Sequence, residues 1–288
     1  MTLLLVEPSV TTKIGTCMQN QDWVKTMVPI EQLLATCETA VRAGGEQLLA
    51  WRGRFYAREK ADRDLVTDAD LASQEAIRRV ILSVFPDHGF LGEESPNLRE
   101  LSRPACWIVD PLDGTTNYVH DFPFYAVSVA VAQEGRLAAG AIFDPLREEL
   151  FLAAAGWGAK LAGRAIGPSC TTELEAALLA VSFPAKMHLE MPDVKAFLQA
   201  APRCRAVRCS GSAALNLAYV ACGRLDAHWA FETHPWDSAA GVLLVQEAGG
   251  VATSVLGKDY DLASGDSLAA ATPELHQNLL PLIISSGK

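Results

Sequence analysis

The chain has 288 residues, half of them apolar, and a formal net charge of −10. That length allows one large domain or two closely joined lobes around a sizeable core, and the acidic balance argues against nucleic acid or an anionic membrane as partner. No run of 18 apolar residues occurs, so no membrane-spanning helix is expected, and the seven cysteines include no Cys-x-x-Cys pair, which reads as free thiols in a reducing cytoplasm.

Residues 1–27 read as an irregular extension with no assignable role. Met1–Val6 is apolar, but it has no basic flank and Glu7 interrupts it, so it is not read as a signal peptide. Ile30, Leu33, Leu34, Cys37 and Val41 recur at helical spacing and predict a first helix over 29–51, with Pro29 in its first turn. A second helix is predicted over 68–84, capped by Thr67, with Ile77, Val80, Ile81 and Val84 on its apolar face and Pro86 marking its end. The two helices are expected side by side on a sheet.

Trp107-Ile108-Val109 is a short buried strand aimed at the loop that follows. Val127, Val129 and Val131 alternate with small residues, Glu134-Gly135 makes a turn, and strands over 137–143 and 149–154 complete an antiparallel meander. Gly156 and Gly158 break the pattern. Beyond about residue 167, short strands (178–181, 205–208, 268–271) alternate with helices (212–221, 237–248, 274–284). Cys106, Cys209 and Cys222 sit in apolar or small-residue surroundings and are expected to be buried.

Three acidic motifs carry chemistry: Gly92-Glu93-Glu94-Ser95, then Asp110-Pro111-Leu112-Asp113-Gly114-Thr115-Thr116-Asn117, then Trp236-Asp237-Ser238-Ala239-Ala240-Gly241. Pro111 and Gly114 bend the chain, so Asp113 can return beside Asp110. Two carboxylates that close repel unless cations lie between them, and carboxylates are hard oxygen ligands suited to magnesium. The Gly-Thr-Thr turn offers backbone N–H groups to a phosphate. Each motif has a plainer reading: a polar turn, two solvated glutamates, an aspartate that caps a helix. Lys60 reads as a solvated lysine and His234 as an exposed loop histidine.

Taken in order with Asp64-Leu65-Val66-Thr67-Asp68-Ala69-Asp70, Gly211-Ser212-Ala213-Ala214, Ala221-Cys222-Gly223 and Asp226, these segments resemble the inositol monophosphatase family, of the lithium-sensitive, magnesium-dependent sugar-phosphatase superfamily, from about Pro29 onward. The resemblance implies a layered α-β-α-β-α sandwich of mixed helices and sheets. An N-terminal lobe over 28–166 would carry most of the metal ligands, and a C-terminal α/β lobe over 167–288 would supply Asp237 and substrate contacts. It implies two to three Mg2+ ions held by Glu93, Asp110, the Leu112 carbonyl, Asp113 and Asp237, with Asp70 reaching a metal through water and Glu94 supporting Glu93, and it sets Lys60 one position from where the family often has a lysine near the site. Glu93 and Thr115 would activate water, while Asp113, Gly114, Thr115, Thr116, Gly211, Ser212, Ala213 and Glu232 would meet the substrate. A lithium-sensitive cytoplasmic homodimer is implied too.

The family usually has a glutamate seven residues before the Trp-Asp aspartate, where it contacts inositol hydroxyls. Here that position is Ala230, with Glu232 or His234 as possible substitutes. Inositol 1-phosphate is the leading expected substrate. Fructose 1,6-bisphosphate, histidinol phosphate and 3′-phosphoadenosine phosphates are the related options, and a catalytically silent binding protein is the alternative outside enzymology.

Overall fold

The computed structural model describes residues 28–61 and 64–287. The extension over 1–27 lies outside the described residues. Helix α1 (Ile30–Trp51) and helix α2 (Asp68–Val84) start and stop as their sequence signals dictate. Thr67 caps α2 through a reciprocal pair: its side chain accepts from Ala69 and Asp70 N–H, and the Asp70 carboxylate accepts from Thr67 N–H at 2.8 Å. Two orphan donors are satisfied at once, which fixes the helix start. On α2, Ile77 and Ile81 are fully buried, while Val84 is exposed. The hairpin of β1 (Ala57–Ala61) and β2 (Asp64–Thr67) precedes α2.

A seven-stranded sheet follows in chain order: β3 (Gly89–Gly92), β4 (Ala105–Asp113), β5 (Ala126–Gln133), β6 (Arg136–Asp144), β7 (Glu149–Ala154), β8 (Gly158–Leu161) and β9 (Arg164–Ala165). Only the β3–β4 pair is parallel. The outer face of this sheet packs on α1 and α2, through Leu33, Val41, Leu48, Ile77 and Ile81 against Trp107, Val109, Val129 and Val131.

A second, five-stranded sheet is built from β10 (Leu178–Ser182), β11 (Ala206–Arg208), β12 (Ala227–Ala230), β13 (Val251–Thr253) and β14 (Ser267–Ala270), in the order β11-β10-β12-β14-β13. Helices α4 (Pro192–Ala200) and α7 (Pro273–Ser286) cover its outer face. Between the sheets run α5 (Ala213–Ala221) and α6 (Pro235–Glu247), with a short α3 (Thr115–Val119) in the loop after β4. The core that surrounds α5 and α6 takes residues from both halves of the chain, Ile108, Ile142 and Phe151 on one side and Ala180 and Ala269 on the other. The layers therefore run α, β, α, β, α, as expected.

Small residues let the central layer close. A Cβ on Gly241 of α6 would stand 2.4 Å from Leu217 Cβ of α5, so that glycine sets how near the two helices lie. Among the described cysteines Cys106 is buried and Cys222 half-buried, but Cys209 is exposed, against expectation. It sits in the loop between β11 and α5, at the wall of a cleft, where small neighbours mark close chain approach rather than burial. No described helix is long and apolar enough to cross a membrane.

Candidate active site

Where the two sheets meet the central helices, a cleft of about 1350 Å³ opens, and Glu93, Asp110, Leu112, Asp113 and Asp237 all line it. Three local devices bring these side chains together. Parallel pairing of β3 with β4 sets Gly92 against Val109, and Glu93 N–H donates to Val109 O at 3.1 Å, so Glu93 emerges beside Asp110. In the β4–β5 pair, Asp110 faces Ser128 but Asp113 faces Ala126. Three steps along β4 thus match two along β5. That extra residue is a β-bulge between Asp110 and Asp113, the kind of kink that re-aims a side chain. Asp110 also accepts from Leu112 N–H at 2.9 Å, which tightens the turn.

The turn leaves β4 through Gly114, at φ +97°. A Cβ there would lie 3.1 Å from both Gly211 O and Phe124 O. Glycine is needed for backbone and for space. Asn117 clamps the same junction, its amide nitrogen donating to Phe124 O at 2.6 Å and to Ser210 O at 2.7 Å.

Asp113 is drawn across the cleft to α5. Its carboxylate accepts from Ala213 N–H at 3.2 Å, Ala214 N–H at 2.8 Å and the Ser212 hydroxyl. A carboxylate at a helix N-terminus meets unpaired N–H groups and the positive end of the helix dipole. Ser212 caps α5 as well, through Leu215 N–H. It is buried behind Asp113 and does not face the cleft, whereas Gly211 and Ala213 do. Asp237 lies in the first turn of α6, two residues inside the helix, because Pro235 already starts it; its carboxylate accepts from His234 N–H at 2.7 Å.

Thr115 donates toward Leu112 O at 3.1 Å and Asp70 Oδ1 at 3.2 Å. Asp70 is fully buried behind it. Burial pushes the Asp70 carboxyl up to about 6, against the opposing pull of the Thr67 hydrogen bonds. Lys60 is not a solvated lysine. It bonds Glu93 Oε1 at 2.9 Å and also Glu94, and it lines the cleft. Glu94 is placed by its own N–H, which donates to Gln74 Oε1 at 3.0 Å, and burial lifts its carboxyl to about 7.

Burial first, then repulsion from Glu93, Asp113 and Asp237, holds the Asp110 carboxyl well above the usual range. Burial raises Asp237 likewise, and Asp113 to about 6 despite its hydrogen bonds. Four carboxylates faced by Lys60 form a donor set short of positive charge, and that chemistry fits hard divalent cations. No three His, Cys, Asp or Glu side chains among the described residues already stand as a closed cage, however. Asp110 Oδ1, Asp237 Oδ2 and both Asp113 oxygens are turned to backbone or hydroxyl donors, and Glu93 Oε1 to the Lys60 ammonium.

The remaining expected contacts divide. Gly114, Thr115, Thr116 and Glu232 line the cleft, as does His234, which stacks on Trp236 with ring centroids 4.6 Å apart. Ala230 does not. It ends β12, is 1% exposed, and pairs across the sheet with Ser182, which does line the cleft. Of the two readings the sequence left for Lys60, the geometry matches the lysine near the site. The sequence reading missed Ser182, which ends an apolar strand with no motif around it.

A carboxylate-ringed cleft with glycine-opened turns and a helix N-terminus at its wall defines a phosphoester hydrolase. The chain belongs to the inositol monophosphatase family, whose sequence profile matches residues 30–287, and is by that membership a phosphatase. An inositol-1-monophosphatase from Synechocystis is 37% identical over 253 residues, covering 87% of this chain and 88% of its own. A protein named Nus factor SuhB from Pseudomonas aeruginosa is 37% identical, covering 84% and 93%. The solved inositol monophosphatase of Anabaena superposes with a TM-score of 0.78 at 36% identity, covering 89% and 96%.

Proposed function

We propose that this phosphatase is a magnesium-dependent monoesterase for a small polyol or sugar phosphate, with inositol 1-phosphate first among substrates. One observation carries the reading: Glu93, Asp110, Asp113 and Asp237, from three separate segments, line one cleft beside the Gly114–Thr116 turn. The names of the cyanobacterial relatives favour inositol phosphate over the related options. The division into lobes over 28–166 and 167–288 belongs to the same reading.

Glu93, Asp110, the Leu112 carbonyl, Asp113 and Asp237 would hold the magnesium, with Asp70 behind them. Magnesium, when bound, neutralises phosphoryl charge and acidifies water. The chain's own groups do the rest. Glu93 accepts the proton of the attacking water, and the Thr115 hydroxyl, fixed by Leu112 O and Asp70, orients that water. Lys60 and Glu94 hold Glu93 in place. Amides of the Gly114–Thr116 turn receive the phosphoryl oxygens. Water attacks phosphorus in line, and the products are the free alcohol and inorganic phosphate, with no covalent enzyme intermediate.

The test is phosphate release from a panel of monoesters with magnesium and with chelator. Asp110→Asn and Asp237→Asn should each lower kcat/KM at least about a hundredfold, since each removes one charge from the cation-binding cluster. Full magnesium-dependent turnover in either variant would overturn the assignment.

A further inference from the structure

Below the cleft floor runs a chain of hydrogen bonds that the catalytic reading does not use. His228 of β12 is fully buried, and its Nε2 lies 2.9 Å from Ser182 Oγ. Asn216 of α5, also fully buried, donates from its amide to Ser182 Oγ at 3.4 Å. The Asn216 amide oxygen accepts from the Ser210 hydroxyl at 2.6 Å. Ser182 and Ser210 both line the cleft, while His228 and Asn216 lie behind it.

The proton positions follow from what each buried atom can satisfy. His228 Nδ1 is buried with no hydrogen-bond partner. A buried N–H without an acceptor is the rarer and costlier fault, so the ring proton belongs on Nε2 and Nδ1 stays bare. Burial, which lowers this histidine to about 3, keeps the ring neutral. Ser182 Oγ then accepts from His228 Nε2–H and from Asn216, and its own proton has only the cleft to point into. Ser210 is the reverse: its proton is spent on Asn216, so it offers the cleft lone pairs.

We infer that Ser182 is a specificity residue, a fixed hydroxyl donor aimed at an oxygen of the substrate's leaving group, with His228 and Asn216 as its positioning residues. The inference rests on the phosphatase reading and narrows it. At Ala230, beside Ser182 across the β10–β12 pair, no carboxylate reaches in. With a hydroxyl donor in that place, the site selects leaving groups that carry a hydroxyl or ether oxygen to accept from Ser182, the class of polyol and sugar phosphates. Aryl phosphates lack that oxygen.

The test is steady-state hydrolysis, with magnesium, of inositol 1-phosphate, several sugar phosphates and phenyl phosphate. Ser182→Ala should lower kcat/KM on the hydroxylated substrates roughly three- to tenfold, the range for one neutral hydrogen bond. Most of that should lie in KM, and phenyl phosphate should change less than about twofold. Ser182→Thr, which keeps the hydroxyl, should restore most of the loss. His228→Leu should shift selectivity as Ser182→Ala does, and His228→Gln, which keeps a donor near Nε2, should shift it less. Should His228→Leu not fold, the Ser182 pair decides alone. Equal losses on both substrate classes, or no loss on either, would overturn the inference and leave the phosphatase reading standing. So would a wild-type enzyme that cleaves phenyl phosphate and rejects every hydroxylated ester. A wild type that cleaves no ester would overturn both.

Discussion

Ser212→Ala tests the contact that ties the loop after β4 to the central helices. The Ser212 hydroxyl donates to the buried Asp113 carboxylate, 99 residues away in the chain, and its oxygen accepts from Leu215 N–H at 3.3 Å. Losing an N-cap hydroxyl costs about 1 kcal/mol. A hydrogen bond to a charged group is worth about 1.5–3 kcal/mol. The two do not add fully, because Asp113 keeps the Ala213 and Ala214 amides. The expected destabilisation is therefore about 2–3 kcal/mol, or roughly 4–6 °C in Tm for a chain of this size. Ser212→Thr retains both bonds and should stay within about 0.5 kcal/mol of wild type. Denaturant unfolding of the three proteins, with Tm as a second readout, measures this. A Ser212→Ala variant as stable as wild type would show that Asp113 is held by the amides alone.

Gly241→Ala should destabilise by about 1–3 kcal/mol through overpacking, because the new methyl meets Leu217 on the neighbouring helix; unchanged Tm would mean that α5 and α6 separate freely. His228 sets a pH dependence. Folded, it titrates near 3, whereas an unfolded histidine titrates near 6.5, so only the unfolded chain gains a proton between those values, and stability falls as pH drops through that window. Between pH 7 and pH 5 the loss should be about 2 kcal/mol relative to His228→Gln, read as the difference in urea unfolding free energy; parallel pH profiles for the two proteins would refute it. Sedimentation should give a homodimer rather than a 30.9 kDa monomer, as the family resemblance implies and as twofold pairing commonly provides.

The limits of α1 and α2, the meander from β5 to β7 and the last helix were legible because each is decided locally. Helical spacing, a Thr67 cap and a Glu134-Gly135 turn act within a few residues of themselves. The motif carboxylates were legible for a related reason: Asp110 and Asp113 share one bulged turn, so their spacing already encodes their proximity. Elements whose sequence lacks such signals were not. β1 carries Arg58, Glu59 and Lys60, a charged run that reads as solvent, and forms a strand only because β2 pairs with it. β3 and β12 are four residues each and owe their conformation to the strands beside them.

The sequence by itself thus determined the family, which carboxylates stand in its acidic motifs and roughly which turns present them. Tertiary structure alone decided what those residues touch. Asp113 lies on the α5 N-terminus, Lys60 on Glu93, and Ser182 on His228 because strands and helices distant in sequence are brought edge to edge. Such contacts depend on register and packing across 30 to 100 residues of chain, which no local spacing records.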